Sequence, residues 1–182
     1  MDVHRANMRK KLNLQGHKEL TRFAVETTRK HEGDVDPPLD IGNGANPILL
    51  IENEDSEEIR LQSAMSGFQT NVSLEVAHSG DEALKLLQTT KSALPCLILL
   101  NINLPKLNGI EFLKKLRANS KFKNMVVIVF TGTGSQELVN QMFSLGCNGY
   151  LVKPANIESF GKMLRTLIEY WGLSLRPRLS VG

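Results

Sequence analysis

Short apolar runs alternate with amphipathic stretches through most of this sequence, and that alternation constrains the fold more than any other feature. Apolar runs predict strands at residues 48–51, 72–76, 96–100, 125–130 and 150–152. Amphipathic stretches predict helices at residues 59–65, 81–87, 109–117, 136–145 and 157–171. Strands alternating with helices indicate right-handed crossovers and a parallel sheet covered on both faces. We therefore predict a doubly wound α/β domain whose site lies at the carboxyl ends of the strands.

Charge and composition divide the chain into pieces. Residues 1–30 carry eight Lys/Arg against three Asp/Glu, whereas residues 31–46 carry four acids and no base. The second piece also contains Pro37-Pro38 and several glycines, a composition typical of a linker. We predict a short helical segment at 1–30, an acidic linker at 31–46, the α/β domain at 47–171 and a tail at 172–182.

Several classes of protein are excluded by composition. Apolar residues make up 41% of the chain, which is too much for general disorder, yet no run reaches the roughly 18–20 residues of a membrane span. The first residues lack the apolar core of a signal peptide. Two cysteines, Cys96 and Cys147, are too few for a disulfide framework. We expect a cytoplasmic protein that does not enter the membrane.

Polar side chains follow four of the predicted strands, so the fold should bring them to one crevice. They are Glu52, Asn53, Glu54 and Asp55 after the first strand, Asn101 after the third, Thr131 at the end of the fourth, and Lys153 after the fifth. Acids, a hydroxyl and a lysine at one edge are typical of a metal-assisted phosphoryl site, because they supply Mg²⁺ ligands and a cation for phosphoryl oxygens.

Four ordered motifs carry a resemblance to the receiver domain of two-component response regulators. They are ILLIEN (48–53), LILLNINLPKLNGIEFLKKLR (97–117), VIVFTGTGS (127–135) and GYLVKP (149–154). The closing residues 167–171 resemble those of the phytochrome-associated single-domain type. The resemblance implies a flavodoxin-like fold with five parallel strands and five helices. It also implies a signalling module, not an enzyme, that receives a phosphoryl group on an aspartate from a histidine kinase.

One position departs from the family pattern in a decisive way. The acceptor aspartate of the family falls on Asn101. A carboxylate attacks phosphorus because it is anionic, whereas a neutral carboxamide is a very poor oxygen nucleophile. We therefore predict a pseudo-receiver that signals through protein contacts without phosphorylation. The alternative is a phosphorylatable regulator that uses another acid, such as Asp55.

The family's pair of acidic residues is also incomplete. It falls on Glu52 and Asn53, or on Asn53 and Glu54 if the loop is one residue longer than in close relatives. With Glu52 as the one certain acid and Lys153 beside it, the formal charge of the pocket is zero. Mg²⁺ needs more negative charge to give up its water, so we expect weak metal binding, with Glu52 and Glu54 as the candidate ligands. No cofactor is expected.

The remaining site positions match the family. Thr131 corresponds to its hydroxyl, Tyr150 to its switch aromatic and Lys153 to the lysine that binds the phosphoryl group. A strand-end hydroxyl and a half-buried core aromatic are the plainer interpretations of the first two. Lys153 could instead donate to the side-chain carbonyl of Asn101. We predict that residues 56–58 form a solvated helix start with Ser56 as N-cap.

The basic segment has a resemblance of its own, to the last two helices of a LuxR-type helix-turn-helix domain. The pattern runs through HRAN, KL and ELTRFA within residues 3–24. The resemblance makes Arg5, Arg9, Lys10 and Lys11 candidates for DNA contacts. Two short helices bury little apolar surface, so nucleic-acid binding is not expected without the helices that precede them in that family. A DNA-binding transcriptional regulator remains the alternative.

The expected partners are proteins: a histidine kinase or a downstream effector. The candidate contact surface is formed by the fourth helix, the fifth strand and the fifth helix, with apolar anchors at Met142, Phe143, Phe160, Met163, Tyr170 and Trp171. The last helix is also a candidate homodimer interface, as in the phytochrome-associated type. A flavin enzyme on the same fold is disfavoured, because the loop after the first strand is acidic where a flavodoxin has hydroxyls.

Overall fold

The computed structural model of the chain describes residues 47–66, 73–91 and 93–173. Several predictions lie outside these residues. They are the helical segment 1–30 with Arg5, Arg9, Lys10 and Lys11, the linker 31–46, and residues 174–182 of the tail.

Five strands and five helices alternate along the described chain. The strands are β1 (Ile48–Ile51), β2 (Leu74–Ala77), β3 (Leu97–Leu100), β4 (Val127–Thr131) and β5 (Gly149–Val152). The helices are α1 (Asp55–Ser66), α2 (Gly80–Thr89), α3 (Gly109–Ala118), α4 (Gln136–Ser144) and α5 (Ile157–Leu173). Every strand and helix predicted for residues 47–171 is present, with bounds that differ by a few residues. None of the described helices is long and apolar enough to cross a membrane.

The strands form one parallel sheet in the order β2-β1-β3-β4-β5. This is the flavodoxin-like order, in which the direction of winding reverses between β1 and β3. Ile51 pairs with Ala77 on one side and with Leu100 on the other, so these three strands end level with each other. Residues 52 and 101 therefore emerge side by side at the crevice between β1 and β3.

Two apolar cores hold the sheet between its helices. Leu49 and Ile51 face the layer of α2, α3 and α4, whereas Ile48 and Leu50 face the layer of α1 and α5. All four residues of β1 and all four of β3 are buried, which explains why these strands are continuous apolar runs without alternation.

Two predicted surface anchors belong to these cores. Met142 and Phe160 have 0% relative exposure, so their assignment to a contact surface was wrong. Met142 packs with the layer of α2, α3 and α4, and Phe160 with the layer of α1 and α5. Both helices are amphipathic, and a helical apolar stripe does not distinguish a core face from a partner-binding face.

The start of α1 differs from the prediction. The helix begins at Asp55, so Ser56 lies in its first turn and is not the N-cap. The carbonyl of Glu54 accepts hydrogen bonds from the N–H groups of Glu57 and Glu58, at 3.0 and 3.3 Å. The loop after β1 turns into the helix at Asp55, whereas an N-cap at Ser56 would require the helix to begin at residue 57.

The loop between β3 and α3 is held against α3 at its first residue. The N–H of Gly109 donates to the carbonyl of Ile102 at 3.0 Å. A Cβ atom on Gly109 would lie 2.4 Å from the carbonyl oxygen of Asn101 and 2.8 Å from Cα of Ile102. A glycine is required here because main chain meets main chain. Asn108 and Glu111 form a capping box at the same helix end.

Candidate functional site

Glu52 is a buried carboxylate at the carboxyl end of β1. It is 1% exposed, and its Oε1 accepts from the N–H of Asn53 at 2.9 Å and from that of Glu54 at 3.3 Å. A buried charge is costly unless it is paired and hydrogen bonded. The loop after β1 therefore supplies part of what Glu52 needs through its own main chain.

Asn101 supplies another of these hydrogen bonds. Its side chain lies in the pocket, with the residue 8% exposed, and its Nδ2 donates to Glu52 Oε1 at 2.9 Å. Its main-chain N–H donates to the carbonyl of Ile51 at 3.0 Å, which fixes it between β1 and β3. An amide can donate to a carboxylate, whereas an ionised aspartate at this position would only accept.

Lys153 closes the other side of the Glu52 carboxylate. Its Nζ lies 2.5 Å from Glu52 Oε2 and 3.1 Å from Glu57 Oε2, and its side chain is 7% exposed. The N–H of Lys153 donates to the carbonyl of Thr131 at 2.8 Å, so the β4–β5 ladder positions the lysine. The suggested bond from Lys153 to Asn101 is replaced by these two ion pairs, because carboxylates attract an ammonium more strongly than an amide oxygen does.

Glu57 and Arg60 belong to this network, and sequence reasoning missed both. Glu57 was predicted as a solvated first-turn acid, which is wrong because its carboxylate pairs with Lys153 and lies 3.4 Å from Arg60 Nη1. Arg60 Nη2 donates to the carbonyls of Pro154 and Ala155. The spacing of Glu57 and Arg60, three residues apart on α1, indicated a shared helix face but not the partner across the fold.

Thr131 and Tyr150 occupy the other edge of the pocket. Thr131 is 1% exposed, and within the described part of the chain its Oγ1 has no hydrogen-bond partner. Tyr150 is half-buried and its hydroxyl donates to the carbonyl of Thr133 at 2.8 Å. Burial, with a smaller contribution from Cys147, raises the pKa of the Tyr150 phenol, which favours the protonated donor form. Gly134 leaves room for the tyrosine ring, because a Cβ atom at residue 134 would lie 3.3 Å from Tyr150 Cε1.

The other polar side chains that follow β1 stay outside the pocket. Asn53, Glu54 and Asp55 are all exposed. Within the described part of the chain, Glu54 is hydrogen bonded to Glu52 through its main-chain N–H. Of the two possible registers for the acidic pair, the fold buries Glu52 and leaves the other two positions in solvent.

The donor set does not fit a magnesium ion. Both oxygens of Glu52 are already engaged, one by three N–H donors and the other by Lys153. Mg²⁺ requires oxygen ligands in near-octahedral geometry and in proteins usually binds one or two carboxylates that are free to face it. Among residues 47–66, 73–91 and 93–173, no group of three or more His, Cys, Asp or Glu is placed to hold a metal.

Comparison with known proteins identifies the kind of domain to which this arrangement is similar. The family model described as response regulator receiver domain matches residues 48–165. Response regulator Rcp1 of Synechocystis is 29% identical over 136 residues, covering 72% of this chain and 92% of the relative. The probable methanogenesis regulatory protein FilR2 of Methanothrix harundinacea is 27% identical over 127 residues, covering 68% and 82%.

Solved structures give the same similarity. The Mn²⁺-bound form of Rcp1 matches with a TM-score of 0.66 and 29% identity, covering 73% of this chain and 99% of that one. The response regulator RPA3017, from red light signalling in R. palustris, matches with a TM-score of 0.67 and 25% identity, again covering 73% and 99%.

Proposed function

This chain belongs to the response regulator receiver domain family, and from that premise we propose that it is a receiver module of two-component signalling that works without phosphorylation at residue 101. Its output is contact with other proteins, and Mg²⁺ binds weakly at best. The observation that carries the proposal is the hydrogen bond from Asn101 Nδ2 to Glu52 Oε1, at 2.9 Å.

Two chemical features support this function. The group at position 101 is a neutral amide, so it lacks the anionic oxygen that attacks phosphorus. The amide also stabilises the neighbouring carboxylate, while Lys153 neutralises that carboxylate from the other side. Both oxygens of Glu52 are thus engaged, and this carboxylate has no free oxygen with which to hold a divalent ion.

Incubation with Mg²⁺ and acetyl phosphate, followed by intact-mass measurement, tests the proposal. We expect the wild-type chain to keep its mass. The Asn101→Asp variant is expected to gain one phosphoryl group, because its carboxylate oxygen attacks phosphorus and acetate leaves.

Asn103→Asp is the matched control, since Asn103 is an exposed amide in the same loop. We expect this variant to behave like the wild type. Phosphorylation of the wild-type chain would overturn the proposal, and mapping of the modified residue would then show whether Asp55 or another acid is the acceptor.

The proposed contact surface comprises the exposed large apolar residues of α4, β5 and α5. Phe143 on α4 and Val152 on β5 are each 50% exposed, and Tyr170 on α5 is 62% exposed. Apolar side chains of this size, exposed on adjoining elements, favour protein contact over solvation. We propose that a second copy of the chain binds here through α5, and that kinase or effector contacts use the same elements.

Light scattering at micromolar concentration tests the homodimer. A mass near twice the 20.3 kDa of one chain is expected, and Tyr170→Arg is expected to shift it toward a single chain. Ile59→Arg is the control, because Ile59 is equally exposed, at 65%, but lies on α1. A wild-type mass near one chain would contradict the dimer.

A further inference from the structure

We propose that Glu57 is a positioning residue for Lys153, which it holds between two carboxylates and so keeps from acting at position 101. The proposal rests on the proposed function, because it explains how the pocket remains closed without a phosphoryl group. It adds a residue on α1 to a site otherwise formed at the ends of the strands.

The ammonium of Lys153 lies close to two carboxylates. The Nζ atom of Lys153 lies 2.5 Å from Glu52 Oε2 and 3.1 Å from Glu57 Oε2. The lysine side chain is 7% exposed and that of Glu57 is 21% exposed, so solvent screens these contacts less than surface pairs. The contact with Glu52 is a hydrogen bond, whereas the contact with Glu57 is an ion pair without hydrogen-bond geometry. A new anion must therefore compete with the charge of both carboxylates for the ammonium.

Arg60 binds the main chain that follows Lys153. Arg60, one turn after Glu57, donates to the carbonyls of Pro154 and Ala155, the two residues that follow Lys153. Its guanidinium also lies 4.1 Å from the ring centre of Phe160 on α5. One turn of α1 therefore contacts the ammonium of Lys153 through Glu57 and the main chain of the next two residues through Arg60.

The four charged side chains of this network balance each other. Glu52 and Glu57 are compensated by Lys153 and Arg60, so the closed network has no net charge. An aspartate at position 101 would compete with two existing carboxylates for Lys153. Removal of the charge on Glu57 leaves the lysine with one carboxylate and makes it more available to an incoming phosphoryl oxygen.

Lysine acylation with a water-soluble acetylating reagent measures this hold directly. The rate at Lys153, mapped by mass spectrometry and normalised to the exposed Lys162, is compared in the wild type, Glu57→Gln and Glu58→Gln. Glu58 is the matched control, because its carboxylate accepts from Gln62 on the exposed side of α1. We expect Glu57→Gln to react about fivefold faster at Lys153 and Glu58→Gln to match the wild type. Equal rates in the two variants would overturn the proposal.

Phosphorylation in the Asn101→Asp background gives the second readout. The double variant with Glu57→Gln is expected to accept the phosphoryl group from acetyl phosphate about fivefold faster than the double variant with Glu58→Gln. A purely structural role for Glu57 predicts an equal or lower rate, and that result would contradict the proposal. Phosphorylation of the unmodified wild type would instead contradict the proposed function. The acylation comparison needs no phosphoryl transfer, so it decides the role of Glu57 by itself.

Discussion

Replacement of Lys153 by methionine is expected to lower the free energy of unfolding by about 4 kcal/mol. The variant leaves Glu52, which is 1% exposed, with hydrogen bonds but without its cation. Loss of one partner from a buried ion pair is costly because the remaining charge stays desolvated. Urea unfolding followed by circular dichroism measures the change. An unchanged slope of the free energy of unfolding against urea concentration would show that the surface exposed on unfolding is the same in the variant.

Two further variants make this result specific. Lys162→Met removes an exposed lysine from α5 and is expected to change stability by less than about 0.5 kcal/mol. The double variant Glu52→Gln/Lys153→Met removes both charges, and we expect it to be more stable than Lys153→Met alone. A loss at Lys153 no larger than that at Lys162 would show that the pair does not stabilise the fold.

The Gly109→Ala variant is expected to lose about 3 kcal/mol of stability. The added Cβ would lie 2.4 Å from the carbonyl oxygen of Asn101 and 2.8 Å from Cα of Ile102, and neither main-chain atom can turn aside as a side chain can. Relief requires movement of α3 or of the end of β3, and both pack in the core. Thermal and urea unfolding measure the loss.

Gly161→Ala provides the opposite expectation on another helix. Nothing lies within 4 Å of a Cβ at Gly161 on α5, so alanine there should raise stability by up to about 1 kcal/mol through its higher helix propensity. Opposite signs for the two substitutions would confirm that the contact at Gly109, and not the change of residue type, causes the loss. A gain at both positions would contradict the close approach.

The sequence predicted the fold well because burial leaves a direct mark on composition. A strand covered on both faces must be apolar throughout, and the runs at β1 and β3 meet that requirement. Topology then predicted which polar side chains would be neighbours. Residues that follow adjacent parallel strands emerge together, and the bond between Asn101 and Glu52 is an example.

Contacts that depend on side-chain reach were not predictable in the same way. Glu57 has the sequence context of an ordinary first-turn acid, and its pairing with Lys153 depends on how α1 crosses the sheet. Met142 and Phe160 lie on amphipathic helices, where the pattern specifies an apolar face without specifying what covers it. The early start of α1 likewise depends on the path of a loop, which local residue preferences describe poorly.

The two carboxylates around Lys153 have a consequence for the population of conformers. A protein responds to a signal only if a second conformation lies within a few kcal/mol of the first and the ligand binds that conformation better. Fixing a lysine side chain costs up to about 2 kcal/mol of rotamer entropy, and here that cost is met in folding, before any ligand arrives. Under the proposed function, Lys153 is paired in the same way in every folded copy. The module then offers its partners a constant binding activity, instead of one that depends on phosphorylation.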